Sequence, residues 1–281
     1  MKRIIFCGFG KLGSECLKAL HKSNLSVEFV FTHKELKNDS VDTFAKEKSI
    51  EFSYFDMRKE PEFASDVIGK VQPDFLLSIN YRYIIPVAIF SKAKYAINIH
   101  GSLLPKYRGR TPHVWSIING EEYSGITCHL IEELVDTGDI IEQKKIIIDK
   151  NETGFMLLQK FEHAYPELLL SSMSHLENKE NLIKQNPEDA SYYGKRIPEM
   201  GYIDFYRDAL EIKNFVRAQA FPYPGAYFYL IDGRKIIINR IIETGFQFDG
   251  SIGQIKLIDG KPFTKCKNSN LEILDYKIYE V

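Results

Sequence analysis

Short apolar runs alternate with stretches of helical periodicity along the first hundred residues. Arg3 to Cys7 reads as a strand, Lys11 to Ser23 as a helix, Val27 to Phe31 as a strand and Val41 to Lys48 as a helix. The alternation continues with an extended piece near Phe52 to Phe55, a helix near Glu62 to Val71, and strands at Asp74 to Ser78 and Tyr95 to Ile99. Strands separated by helices pair in parallel through right-handed crossovers, so this part predicts an α/β fold with a doubly wound, mostly parallel, Rossmann-like sheet. Two further strands, Gly125 to Ile131 and Ile140 to Ile148, lead into a long helix from about Glu152 to Glu177, with Phe155, Leu158, Phe161 and Leu168 on one face. The polar run Asn178 to Ser191 marks a boundary, which gives a domain of residues 1–190 and another of residues 191–281. In the latter, a helix at Ala209 to Ala220 and a turn at Phe221 to Gly225 precede strand-like runs at Ala226 to Ile231, Lys235 to Ile242, Ser251 to Ile258 and Leu271 to Tyr279. They predict a smaller, β-rich, barrel-like C-terminal domain.

Composition narrows the function classes more than it changes the fold. The 281 residues are 44% hydrophobic and 13% aromatic, as in ordinary globular proteins. With 37 basic and 38 acidic residues the formal net charge is -1, so no whole-molecule field attracts nucleic acid or anionic lipid. The cysteines, Cys7, Cys16, Cys128 and Cys266, are too far apart for a zinc site, which predicts free thiols, a reducing compartment and no metal. Gly8, Gly10 and Lys11 break the apolar run behind Met1, Lys2 and Arg3, so the start reads as a strand and not as a leader. No stretch of about 18 uninterrupted apolar residues occurs, and the expectation is a cytoplasmic protein with no membrane partner.

Gly8-Phe9-Gly10-Lys11-Leu12-Gly13 fits G-x-G-x-x-G between a strand and a helix, the dinucleotide fingerprint. That fingerprint also calls for an acidic residue ending the second strand, to hold ribose hydroxyls. Here the strand ends Phe31-Thr32-His33-Lys34, and Glu35 already lies past it. The motif is therefore read as a tight strand-to-helix turn, with an NAD-dependent oxidoreductase kept as a distant alternative.

Stronger chemistry lies at the end of the fifth strand. Alternation puts Asn98 and His100 on one face, at a carboxyl edge where such sheets bind ligands. The loop that follows, Gly101-Ser102-Leu103-Leu104-Pro105-Lys106-Tyr107-Arg108-Gly109-Arg110, holds three cations suited to an anionic group. Asp136 lies in the turn Glu133 to Asp139. If the sheet order sets that turn beside the fifth strand, Asn98, His100 and Asp136 form one site.

The run from Asn98 to Gly109, followed by Gly125-Ile126-Thr127 and Asp136-Thr137-Gly138-Asp139, resembles the folate-dependent formyltransferases. This family includes methionyl-tRNA, glycinamide ribonucleotide and sugar-nucleotide formyltransferases. The resemblance extends through Tyr192-Tyr193-Gly194-Lys195-Arg196 and Phe221 to Ala226, and so covers most of the chain. It implies an enzyme that uses 10-formyltetrahydrofolate, with Asn98, His100 and Asp136 as the catalytic trio. It further implies that Ile85, Val135, Asp136, Asp139 and Ile140 line the pterin cleft. In that chemistry Asn98 and an imidazolium His100 suit the formyl oxyanion, while a carboxylate at Asp136 favours the charged ring and takes a proton from the amine. Ser102, Lys106, Arg108 and Arg110 are the expected acceptor contacts, together with Tyr81 and Arg82 behind the fourth strand. Tyr81 has a second reading, as a ring packed on the core.

The acceptor follows from charge. From Gly201 to Val281 there are 11 Lys plus Arg against 10 Asp plus Glu, too even for a tRNA-binding domain. Thr32 to Ser40 is also too short for the basic insertion of the methionyl-tRNA branch. Lys106-Tyr107-Arg108-Gly109-Arg110 and Tyr193-Gly194-Lys195-Arg196 resemble instead the formylating domain of the enzyme acting on UDP-4-amino-4-deoxyarabinose. The expected partner is accordingly a UDP- or dTDP-linked 4-amino sugar, with no nucleic acid and with a homodimer as the oligomer to test. Methionyl-tRNA formyl transfer and a non-enzymatic module binding single-stranded nucleic acid are the remaining alternatives.

Overall fold

A computed structural model describes residues 2–35 and 39–279; of the Thr32 to Ser40 segment, residues 36–38 therefore lie outside the described residues. In chain order the elements are β1 (Arg3–Gly8), α1 (Gly10–Lys22), β2 (Ser26–Phe31), α2 (Val41–Glu47), β3 (Phe52–Ser53), α3 (Pro61–Val71), β4 (Phe75–Ile79), α4 (Val87–Phe90) and β5 (Tyr95–His100). They continue with β6 (Arg108–Gly109), α5 (Pro112–Ile118), β7 (Tyr123–Leu130), β8 (Ile140–Ile147), α6 (Gly154–Glu177), β9 (Tyr192–Tyr193) and α7 (Ala209–Ala218). Last come β10 (Ala226–Tyr229), β11 (Lys235–Thr244), β12 (Lys256–Ile258), β13 (Lys261–Lys265) and β14 (Asn270–Tyr279). The residues cluster into two units. One comprises Met1–Gly109, Gly125–Ile146 and Lys160–Tyr192, and the other Arg110–Ser124, Ile147–Gln159 and Tyr193–Val281.

The first unit is built on a seven-stranded sheet of order β3-β2-β1-β4-β5-β7-β8. From β3 to β5 the pairing is parallel, as the alternation of strands and helices predicts. Ile4, Ile5, Phe6 and Cys7 of β1 and Phe75, Leu76, Leu77 and Ile79 of β4 are fully or almost fully buried, as befits central strands covered on both faces. The exception to the parallel order is β7, which runs antiparallel to β5 with Asn98 opposite His129 and His100 opposite Thr127. Gly13 lets α1 lie on this sheet: a Cβ there would sit 3.0 Å from Val41 Cγ2 and 3.2 Å from the Gly8 carbonyl carbon.

The second unit carries an antiparallel sheet of order β10-β11-β14-β13-β12. Ile236, Ile238 and Ile241 of β11 and Leu271 and Ile273 of β14 pack with Ile212 and Val216 of α7. The register shifts between Ile238 and Ile241, so a bulge moves the buried phase from even to odd positions without interrupting the apolar face. A capping box from Asp208 and Glu211 starts α7. Sequence reading ran one strand from Ser251 to Ile258 and overlooked β13. Asp259 and Gly260, both at positive φ, form the two-residue turn that joins β12 to β13, an Asp-Gly hairpin signal visible in the sequence. Arg196 lies over the Trp115 ring, 4.8 Å from its centroid, and donates to Met200 O and Gln219 Oε1, while Trp115 Nε1 donates to Gly194 O. The Tyr193 to Arg196 motif thus helps to assemble this unit. Among the described residues no helix is long and apolar enough to cross a membrane, and no group of three or more His, Cys, Asp or Glu residues is placed to hold a metal ion.

His113 of α5 makes this unit acid-sensitive. Burial pushes its pKa down from 6.5 to about 4, with Nε2 2.8 Å from the Tyr223 hydroxyl. The unfolded chain takes up this proton below its ordinary value, whereas the folded chain resists until about 4. The stabilisation is therefore complete above 6.5 and lost as pH falls towards about 4. Urea unfolding at a series of pH values should show wild-type stability falling by about 3 kcal/mol more than that of His113→Gln over this range, at roughly 1.4 kcal/mol per pKa unit. Equal slopes would assign the acid sensitivity to other groups.

Candidate active site

The antiparallel entry of β7 decides which side chains meet. Asn98 and His100 share one face of β5, and the register sets His129 against Asn98, with Asn98 Nδ2 and His129 Nε2 3.0 Å apart. His129 Nδ1 lies 2.7 Å from the Leu130 carbonyl, which can only accept, so Nδ1 carries the proton and Nε2 accepts from the Asn98 amide. That contact fixes which way the amide points and leaves its other N–H for a ligand. The sequence reading did not include His129. Its signal was there, since it alternates with Thr127 on a predicted strand, but only the register shows that it faces Asn98.

Asp136 sits in the turn after β7 with φ 58°, a left-handed conformation costly for a residue with a Cβ. The turn admits no side chain at position 138, where a Cβ would lie 1.9 Å from Leu130 O. The Asp136 side chain is 8% exposed; Oδ2 accepts from Gly109 N at 2.9 Å and lies 3.5 Å from His100 Nδ1, and Oδ1 lies 3.7 Å from His129 Nε2. Burial alone would raise its pKa, but the two imidazoles, protonated in the acid range where the carboxyl titrates, and the Gly109 N–H outweigh it and hold the carboxyl down at about 2. His100 Nε2 donates to Tyr107 O at 2.7 Å. For His100, burial wins over Asp136 and pushes the ring below its ordinary value, contrary to the expectation that the carboxylate keeps it charged. At neutral pH the site thus pairs an ionised carboxylate with a neutral imidazole whose Nδ1 faces it.

The loop behind β5 is braced from within. Ser102 is buried, its hydroxyl donating to Lys106 O at 2.6 Å, while Thr127 Oγ1 donates to Ser102 O and accepts from Leu104 N and Gln143 Nε2. The three cations part company. Lys106 is exposed, and Arg110 is exposed in the second unit. Arg108 is 3% exposed, with its guanidinium on Gln185 Oε1 and the Tyr192 hydroxyl, so it is turned inward and not towards an external anion.

The remaining expected contacts are dispersed. Ile85 is buried in the core with Ile5, Cys7, Phe31 and Leu76, and Tyr81 packs against that cluster, which favours the core reading of its ring. Arg82 is exposed, lies 3.7 Å over the Phe9 ring and donates its backbone N–H to His33 Nε2. Val135 is 51% exposed at the tip of the Asp136 turn, Ile140 is buried, and Asp139 O accepts from Leu130 N. Gly10 N of the glycine motif donates to Glu35 Oε2 at 3.2 Å, so a carboxylate of the chain itself stands where a cofactor phosphate would accept.

With this geometry in view, comparisons with known proteins converge. The formyl transferase family model matches residues 1–173 and the formyl transferase C-terminal domain model residues 196–279. The bifunctional polymyxin resistance protein ArnA of Wigglesworthia glossinidia brevipalpis is 34% identical; the alignment takes in 100% of this chain and 43% of that protein, so the chain spans less than half of this relative's length. A 4-N formyltransferase from Francisella tularensis superposes with a TM-score of 0.69 at 28% identity, covering 84% of this chain and 96% of that one. The N-formyltransferase from Helicobacter canadensis, solved with folinic acid and dTDP-3-aminofucose, shares the fold with a TM-score of 0.76 at 21% identity, over 99% of this chain and 100% of that one. Methionyl-tRNA formyltransferase from Clostridium thermocellum shares it with a TM-score of 0.63 at 17% identity, over 100% of both chains. Both halves of the chain match a family model in the order and over the segments where the two sheets lie, and the chain belongs to the formyl transferase family.

Proposed function

We propose that this chain transfers the formyl group of 10-formyltetrahydrofolate to the amine of a UDP- or dTDP-linked 4-amino sugar, with Asn98, His100 and Asp136 as its catalytic residues. The observation that carries the reading is the ionised, buried Asp136 beside a neutral His100 and an oriented Asn98 amide. The neutral amine attacks the formyl carbon, a new N–C bond forms, and charge moves to the formyl oxygen. The free Asn98 N–H supports that oxygen as charge develops. The proton lost by the amine goes to the His100 and Asp136 pair, which holds it jointly between Nδ1 and Oδ2. Collapse breaks the bond to the folate nitrogen, which leaves with a proton, so the pair ends as it began. Because His100 Nε2 already donates to Tyr107 O, this proton role suits the ring better than direct donation to the oxyanion.

The amino-sugar acceptor is supported by the likeness to the 4-N formyltransferase and to the polymyxin resistance protein, and by the near-neutral C-terminal residues. Lys106 remains the cation proposed for the diphosphate, and Arg82 a further polar contact. A homodimer is the proposed assembly.

Purified protein incubated with 10-formyltetrahydrofolate and a panel of UDP- and dTDP-linked amino sugars should formylate a 4-amino sugar, and charged initiator tRNA should be a poor acceptor. Efficient formylation of the tRNA with no activity on any sugar would overturn the acceptor. Asn98→Ala should lower kcat by roughly 100- to 1000-fold with the fold intact. Turnover near wild type in that variant would remove Asn98 from the chemistry.

The charge states have their own test. Burial lowers the His100 pKa while Asp136 raises it, so the ring should titrate below 6.5 by NMR, and lower still in Asp136→Asn. Transfer should then persist on acidification past 6.5 and fall only as the ring takes up its proton. A His100 ring titrating above 6.5 would reverse the assignment of a neutral imidazole.

A further inference from the structure

We propose that Gln185 is a positioning residue for the catalytic carboxylate, an inference that rests on the formyl-transfer reading above. Its Nε2 donates to Asp136 O at 3.0 Å and to Gly138 O at 2.7 Å, and its Oε1 accepts from Arg108 Nε at 3.1 Å and Nη2 at 2.6 Å. One primary amide therefore uses both its N–H donors and takes two N–H donors on its oxygen. No other side-chain class fits these four partners, since a carboxylate has no donor to offer the carbonyls and an ammonium has no acceptor for the guanidinium.

The orientation of the amide is imposed. Arg108 carries donors alone, so the Gln185 oxygen must face it and the NH2 must face the turn. Arg108 is in turn buried and held by the Tyr192 hydroxyl, while its backbone N–H donates to Ser191 O. The Asp136 turn is thus tied by its backbone to the β6 and β9 pair, and its carboxylate is tied to Gly109 N of the same pair. Left-handed backbone at Asp136 needs such constraint from several sides to persist. Gln185 supplies the part that acts on the carbonyls, and through it Arg108 sets the distance between carboxylate and His100 without touching either.

The test compares Gln185→Ala with Gln185→Glu. The glutamate keeps an acceptor for Arg108, and so keeps the β6 and β9 pair in place, but it gives the turn no donor. Both variants should lose about 10- to 100-fold in kcat, as expected for a small misplacement of a reacting group, with KM changed little. Two readouts do not depend on turnover. Amide hydrogen exchange over residues 131–139 should quicken in Gln185→Glu at an unchanged melting temperature, and the His100 ring should titrate lower as the carboxylate withdraws. Gln185→Glu with wild-type exchange and wild-type His100 titration would overturn the proposal. A wild-type protein without formyl transfer would instead overturn the functional reading, and exchange and titration would still decide whether Gln185 holds the turn.

Discussion

An ionised carboxylate held out of water is the constraint around which the first unit is organised. Burial works against charge at Asp136; the Gly109 N–H supports the carboxylate directly, and the two imidazoles beside it support it whenever they are protonated. Each of those partners makes its own demand on the fold. Gly109 has to bring its amide to the carboxylate, which requires Arg108 beside it to be anchored by its backbone N–H on Ser191 O. His129 has to face inward from β7, which requires the antiparallel register with β5. His100 has to donate a hydrogen bond from Nε2 to Tyr107 O, and Tyr107 is itself at positive φ with its amide on the Ser191 hydroxyl. The unusual backbone of Tyr107 and Asp136 lies at the two places where the chain bends to serve this group.

The reversal of β7 is what adapts a doubly wound sheet to this purpose. In a wholly parallel sheet, the next strand would enter beside β5 only after another crossover. An antiparallel strand lets consecutive polar positions of β5 and β7 face one another across a ladder spacing, so that Asn98, His100, Thr127 and His129 form a compact square. Thr127 serves the loop and His129 serves the amide: the two share a face of β7, and the register gives them different places along β5.

Much of this was legible before any coordinates. The parallel strands and the second β-rich sheet follow from apolar periodicity, whereas the approach of Asp136 to His100 depended on a sheet order that periodicity alone does not give. What remained hidden depends on partners distant in sequence. Nothing near Arg108 says that its guanidinium is spent on Gln185 and Tyr192, because a cation in a glycine- and proline-containing loop looks the same whether it faces solvent or carbonyls. The charge of His100 was misjudged because a neighbouring carboxylate is visible in the motif, whereas the burial that outweighs it belongs to the packed fold. The strand β13 was missed for a different reason: Pro262 and flanking lysines weaken its apolar pattern, although the Asp259 and Gly260 turn announces it.

The contact between Glu35 and Gly10 bears on how a nucleotide-type fold can lose its usual occupant. The carboxylate is tethered a short distance along the same chain, so its effective concentration at the Gly10 N–H far exceeds that of a dissolved phosphate ester. It also carries the same sign of charge as the ligand it displaces, so a phosphate approaching the start of α1 meets repulsion as well as competition. A glycine turn of this kind keeps the close strand-to-helix packing for which small residues are needed while its anion-binding capacity is satisfied internally. The scaffold is thereby free to use another strand end on the same carboxyl edge, that of β5, for chemistry, without the glycine turn drawing phosphorylated molecules away from it.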